Sequence, residues 1–128
     1  MIFVHQGGEK THEFLRLGGL SLVIDMAQAP HLSWRDRIAA VQALSEWIHA
    51  VGPARETIFR AGALDVVRHI MTEGAVTEDV RASGLLARAA SDLLLDFSHG
   101  TQEMQMEVID ACIDLLQRVR YVFHQKIR

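Results

Sequence analysis

The chain contains no asparagine, one cysteine, two prolines and one tyrosine in 128 residues. Each scarcity excludes something. A lone cysteine, Cys112, cannot close an internal disulfide, so an oxidising compartment is not required. There is no basic surplus: the net charge is -3 and the pI is near 6.1, which argues against a general binder of phosphate backbones. No nucleic acid partner is expected. Long hydrophobic runs are also missing. The strongest one near the start, Leu15–Met26, is interrupted by Arg16, two glycines and Asp25, and falls short of the roughly 20 apolar residues that a membrane span needs. The N-terminus has no basic flank leading into an apolar core and a small-residue cleavage site, so an intracellular, cytoplasmic location is expected.

The chemistry-bearing motifs are equally sparse. Seven histidines are present, yet no two form a pair at helical ligand spacing accompanied by a carboxylate base, and there is no cysteine cluster to hold zinc. Cys112 sits among apolar residues of a helical pattern, where a thiol is normally inert. No glycine-rich phosphate loop and no serine-elbow motif occur. The expectation is a non-catalytic protein with no cofactor and no metal.

What the chain does have is a repeat. Thr57–Met71 (TIFRAGALDVVRHIM) is a near copy of Glu13–Met26 (EFLRLGGLSLVIDM), and aligning Arg16 with Arg60 also aligns Gly18 with Gly62, Leu20 with Leu64 and Val23 with Val67, a spacing of 44 residues. With 49% apolar and 23% charged residues, usage is globular, and the length suits one domain. The fold class expected is all-α, with a core built by stacking repeated units.

Each cycle carries its own punctuation. A short helix is expected over about Glu9–Leu17, a reversal at Gly18-Gly19, a second helix over about Leu20–Gln28 with Ser21 serving its first turn, and a loop at Ala29–Leu32. Ser33 is the expected N-cap of a long third helix, Trp34–Val51, with Asp36 in its first turn. Its apolar stripe runs through Ile38, Val41, Leu44, Ile48 and Val51 at helical period. Gly52-Pro53 closes it, the glycine as a left-handed cap and the proline opening the next helix. The second cycle repeats this with a bend at Gly62, a helix over Ala63–Glu73, a loop at Gly74, and Thr77 capping a long helix to Phe97. Val80, Leu86, Ala90, Leu93, Leu94 and Phe97 form its apolar side, with Gly84, Ala87 and Ala89 allowing close backbone approach. The two long helices match at a spacing of 46, which pairs Trp47 with Leu93. A third copy follows, in which Ala111 stands where the glycine stood, so one continuous helix is expected from Gln102 to His124, capped by Thr101.

These features resemble armadillo repeats: a short helix, a Gly-Ala bend as in Arg60-Ala61-Gly62-Ala63-Leu64, a second helix, and a long third helix with small residues as in Ala87–Ala90. HEAT repeats and other helical solenoids share the period. The resemblance implies a right-handed α-solenoid spanning residues 1–128 as one domain, with a first repeat at about 9–51, a second at about 53–97 and an altered third at about 101–128. It further implies a protein-protein interaction module, a scaffold or adaptor, that takes a protein or peptide on the face of the long third helices. The positions the family gives to a peptide-clamping asparagine hold Glu46 and Asp92, one turn after Gln42 and Arg88. A carboxylate accepts hydrogen bonds and cannot donate them, so the family's amide clamp is not implied.

The candidate partner-binding residues are therefore Trp34, Arg35, Gln42, Glu46, His49, Arg81, Arg88 and Asp92. The plainer reading of that stripe is a solvated helix face with intrahelical pairs such as Arg88 with Asp92. Trp34 is either a groove anchor or core; Trp47, on the apolar side, reads as core. The last helix offers a different activity. Ile109, Ile113, Leu116, Phe123 and Ile127 lie on one side, and Val108, Cys112, Leu115, Val119 and Val122 on an adjacent one. So broad an apolar surface must be covered, and the alternative to the adaptor is a structural protein that self-associates as a homodimer through this helix.

Overall fold

The computed structural model describes residues 13–14 and 17–127, leaving out the side chains of residues 75, 76, 119, 122, 123, 126 and 127. Its helices are α1 (Gly19–Gln28), α2 (Trp34–Ala50), α3 (Ala54–Arg60), α4 (Ala63–Val76), α5 (Val80–Ser98) and α6 (Gln102–Ile127), with no strand among the described residues. The all-α expectation holds. The segment Met1–Gly8 and most of the short helix expected over Glu9–Leu17 lie outside the described residues. Glu13 and Phe14 are helical, and the Leu17 N–H donates to the Glu13 carbonyl at 3.0 Å.

Two glycines make the bends. Gly18 at φ 91° and Gly62 at φ 94° are the positive-φ residues among those described, and each is the N-cap of the helix that follows. A Cβ at either position would meet nothing within 4 Å, so glycine is needed there for its backbone freedom rather than for space. Ser21, expected to serve the first turn of α1, is exposed and takes no part in a cap. Gly52 is not left-handed either. The chain leaves α2 through Val51 in extended conformation (φ -134°), whose N–H reaches the Trp47 carbonyl at 2.8 Å, and Pro53 then becomes the N-cap of α3.

The long helices start at side-chain caps. Ser33 Oγ accepts from the Asp36 N–H at 3.2 Å, as its sequence context predicts. For α5 the cap is Asp79 and not Thr77: the Asp79 carboxylate accepts from the Ala82 N–H at 2.9 Å, while Thr77 Oγ1 accepts from the Asp79 N–H at 3.4 Å. A carboxylate satisfies the free N–H and also complements the positive helix end, so it outcompetes the hydroxyl two residues earlier. Gly74, read as a loop residue, lies inside α4. A Cβ there would stand 2.8 Å from Leu86 Cδ2, so this glycine lets α4 approach α5 rather than ending a helix.

Equivalent helices of the two cycles pack on each other, α1 on α4 and α2 on α5, while α1 also packs on α2, and α4 on both α5 and α6. Between them lie Val23, Val41, Leu44, Trp47, Ile58, Val67, Ile70, Leu86, Leu93 and Phe97, all buried. Each such side chain contributes about 1.5–3 kcal/mol by leaving water. Trp47 and Leu93, matched across the repeat, are both at 0% exposure. Trp47 meets Phe14 edge to face at 5.4 Å, and Phe59 meets Phe97 in the same way at 5.6 Å. Three expectations for α5 fail. Val80 is 82% exposed, because it opens the first turn beyond the cap, and Gly84 and Ala87 face outward instead of lying against a neighbour.

A charged group bridges three helices inside this apolar layer. Arg37 of α2, 3% exposed, donates through Nη1 and Nη2 to Glu73 of α4 at 3.0 and 3.1 Å, and through Nε to the Ala27 carbonyl of α1 at 3.0 Å. Its guanidinium lies 4.5 Å over the ring of Trp34. Burying the cation is tolerable only because each face and edge has a partner.

Helix α6 begins where Thr101 Oγ1 accepts from the Met104 N–H at 3.2 Å and runs unbroken through Ala111 to Ile127, slightly beyond the expected end at His124. Met104, Val108, Ala111 and Leu115 are buried on its inner side. Among the described residues no helix is long and apolar enough to cross a membrane.

Candidate interaction groove

Helices α2 and α5 lie side by side, with the start of α2 at Trp34 and Arg35 near the start of α5 at Arg81 and Ala82, and Ser45 and His49 of α2 meeting Asp96 near the end of α5. The furrow between them opens on one side. Its first half is lined by Trp34, Arg35, Ile38, Gln42, Asp79, Arg81 and Leu85, and its second by Gln42, Ser45, Glu46, His49, Leu85, Arg88, Asp92, Leu95, Asp96 and His99. All eight residues proposed from sequence for partner contact line this one furrow. The repeat spacing of 46 places matched residues along the same stretch: Arg35 and Arg81 line the first half, and Gln42, Arg88, Glu46 and Asp92 the second.

The two halves hold about 560 and 680 Å³, volumes in the range of small-molecule sites. The lining argues otherwise. Arg35, Gln42, His49, Arg81, Arg88 and Asp92 are exposed, so the furrow is an open trough rather than a desolvated cavity. Charge is sorted along it. Arg35 and Arg81 stand at the end where both helices begin, Arg88 lies midway, and Glu46, Asp92 and Asp96 occupy the far end. The one acid among the residues lining that half, Asp79, is committed to its cap.

The expected pair between Arg88 and Asp92 does not form, and among the described residues Arg35, Arg81, Arg88 and Asp92 have no ion-pair partner. Residue order makes the pair weaker. Glu56 with Arg60 and Asp114 with Arg118 do pair at 3.0 and 3.1 Å, each with the acid on the N-terminal side. Arg88 precedes Asp92, the poorer order for a contact worth only a few tenths of a kcal/mol.

At the acidic end Asp96, 7% exposed, accepts from Ser45 Oγ at 2.7 Å and lies 2.8 Å from His49 Nε2. An ionised carboxylate can only accept, so Nε2 carries the hydrogen in this contact. The order of the three groups matters chemically. The carboxylate stands between hydroxyl and imidazole, and Ser45 has no contact with the ring nitrogen that would take its proton, so the nucleophile-to-base link of acyl transfer is absent. What the arrangement does is orient the exposed His49 ring at the furrow wall. Trp34 is half-buried, with one face on Arg37 and its edge in the furrow. Sequence reasoning missed Leu85 and Leu95, 44% and 58% exposed, which give the trough an apolar floor and rim. Leu85 adjoins buried Leu86, and Leu95 ends a leucine run of buried Leu93 and half-buried Leu94, where period alone does not separate inside from outside.

Of the residues proposed for self-association, Ile109, Ile113 and Leu116 are 53%, 51% and 72% exposed, on the side of α6 turned away from α4 and α5. The side chains of Phe123 and Ile127, like those of Val119 and Val122, lie outside the described residues. Among the described residues no three histidine, cysteine or carboxylate side chains come together as a metal site would require. Comparison with protein-family models, curated proteins and solved structures returns no match.

Proposed function

We propose that the chain is a non-catalytic interaction module, an adaptor or scaffold that holds an extended segment of a partner protein in the α2/α5 furrow. The observation carrying this reading is the furrow's charge order, cationic at one end and anionic at the other, in which Arg35, Arg81, Arg88 and Asp92 have no ion-pair partner among the described residues and flank exposed Leu85 and Leu95. The armadillo-like solenoid, with two full repeats and an altered third, belongs to the same proposal. It is supported by the matched bends at Gly18 and Gly62 and the stacking of α1 on α4 and α2 on α5. A cytoplasmic setting fits the single cysteine.

The partner segment then has a definable chemistry. Arg35 to Glu46, like Arg81 to Asp92, spans about 16 Å of helix at 1.5 Å per residue, which an extended chain covers in about five residues. The segment carries an acidic residue and a basic one about five positions apart, with an apolar side chain between. Fluorescence anisotropy with synthetic peptides of that pattern and with their charge-reversed counterparts tests it. The expected result is binding of the first set only, weakened about tenfold by Arg81→Glu at the basic end and by Asp92→Arg at the acidic end, about 1.4 kcal/mol each. Equal binding of both peptide sets, or binding indifferent to both substitutions, overturns the reading.

A further inference from the structure

The outer side of α6 is organised, and the organisation points to one occupant. Met106, Ile109, Ile113 and Leu116 are all more than half exposed and follow each other at spacings of three, four and three. That is the seam of a coiled coil, narrower than the broad stripe a helix shows to its own core. The sequence carries the same spacing on through Arg120 to Phe123 and Ile127. The inner side, Met104, Val108, Ala111 and Leu115, is already covered by the domain, so the seam is a second, separate apolar surface.

The charges on and beside the seam decide the partner. Glu107 and Asp110 lie in the first half of α6, Arg120 and His124 in the second; all four are exposed, and among the described residues none has an ion-pair partner. The helix is thus acidic toward its start and basic toward its end. We propose that the occupant of the seam is α6 of a second copy of this chain, lying antiparallel across a twofold axis. With Ile113 of each copy against Leu116 of the other, Arg120 falls opposite Ile109 and within a residue of Asp110, twice by symmetry. A parallel in-register pairing would set Arg120 of one copy against Arg120 of the other on the seam itself, which like-charge repulsion disfavours. The proposal is independent of the furrow, which lies on other helices. The described seam, Met106 to Arg120, is only about 20 Å long, shorter than a standard interface of about 800 Å² per partner requires, so association is concentration dependent.

Sedimentation equilibrium of the full 128-residue chain from micromolar to millimolar concentration tests the idea, with circular dichroism confirming that each variant is folded. The wild type is expected to pass from monomer to dimer across that range. Asp110→Arg and Arg120→Asp alone should each weaken the dimer about tenfold, because both symmetry-related contacts turn repulsive. The double variant Asp110→Arg/Arg120→Asp should return to the wild-type constant. A wild type that stays monomeric overturns the proposal, as does a dimer indifferent to the single substitutions. Single variants that weaken the dimer without restoration in the double variant overturn the antiparallel arrangement, since only antiparallel copies bring the two positions together.

Discussion

Removing the Arg37 guanidinium should cost far more than an ordinary surface substitution, and its surroundings allow the cost to be built up. In Arg37→Ala the carboxylate of Glu73 loses both bonds of 3.0 and 3.1 Å. Breaking a buried pair by deleting one member costs about 3–5 kcal/mol, but Glu73 is 32% exposed and His69 Nε2 stands 2.6 Å from its Oε1. Water and histidine therefore take up part of the loss, leaving about 2 kcal/mol. The Ala27 carbonyl, buried at the end of α1, loses its 3.0 Å donor, which adds about 1 kcal/mol. The sum is about 3 kcal/mol. At about 2.1 cal/mol/K of unfolding entropy per residue, a chain of 128 residues loses about 4 °C in Tm per kcal/mol, so calorimetry should show a drop of about 11 °C. A double-mutant cycle with Glu73→Ala should return a coupling of about 1–2 kcal/mol. A loss below about 1 kcal/mol for Arg37→Ala, or a coupling near zero, would refute the claim that this group ties α1, α2 and α4 together.

Two further perturbations probe the bend and the furrow wall. Gly62→Ala forces a Cβ into left-handed backbone at φ 94° with no steric neighbour, so chemical denaturation should register about 1–2 kcal/mol of pure backbone cost; Gly18→Ala should match it, and a neutral result at both sites would show that the bends do not require glycine. Asp96→Ala leaves the buried Ser45 hydroxyl without its acceptor and should destabilise by about 1–3 kcal/mol, whereas Asp96→Asn, which keeps an oxygen acceptor, should cost less; the reverse ranking in urea titrations would contradict the hydrogen-bond account.

The parts of the molecule legible in the sequence were those set by local chemistry. Gly18 and Gly62 could be read as bends because the repeat aligned them, and Ser33 as a cap because Asp36 followed at the right distance. The eight furrow residues were readable because polar positions recur at helical period on two helices in register, so one alignment predicts one face. What escaped was decided at long range or between near neighbours. Arg37 sits beside apolar residues in a helical pattern, and its partner Glu73 lies 36 positions on, beyond any periodicity. Gly74 resembles a helix breaker until Leu86 is seen against it. Thr77 and Asp79 are both competent caps two residues apart, and only the geometry of the turn chooses between them.

The unbroken run of α6 through Ala111 has a consequence for valency. A left-handed residue precedes each of the two α1- and α4-type helices and thereby launches a long helix alongside the last; Ala111 launches none, so two long helices enclose one furrow. On the function proposed above, this furrow offers one binding position. The proposed pair of chains joined through α6 would carry two of them on a single particle. A partner presenting the recognised segment twice would meet the second furrow at an effective concentration set by its own linker, and its apparent affinity would rise by a factor of about 10²–10⁴ with no new contact made.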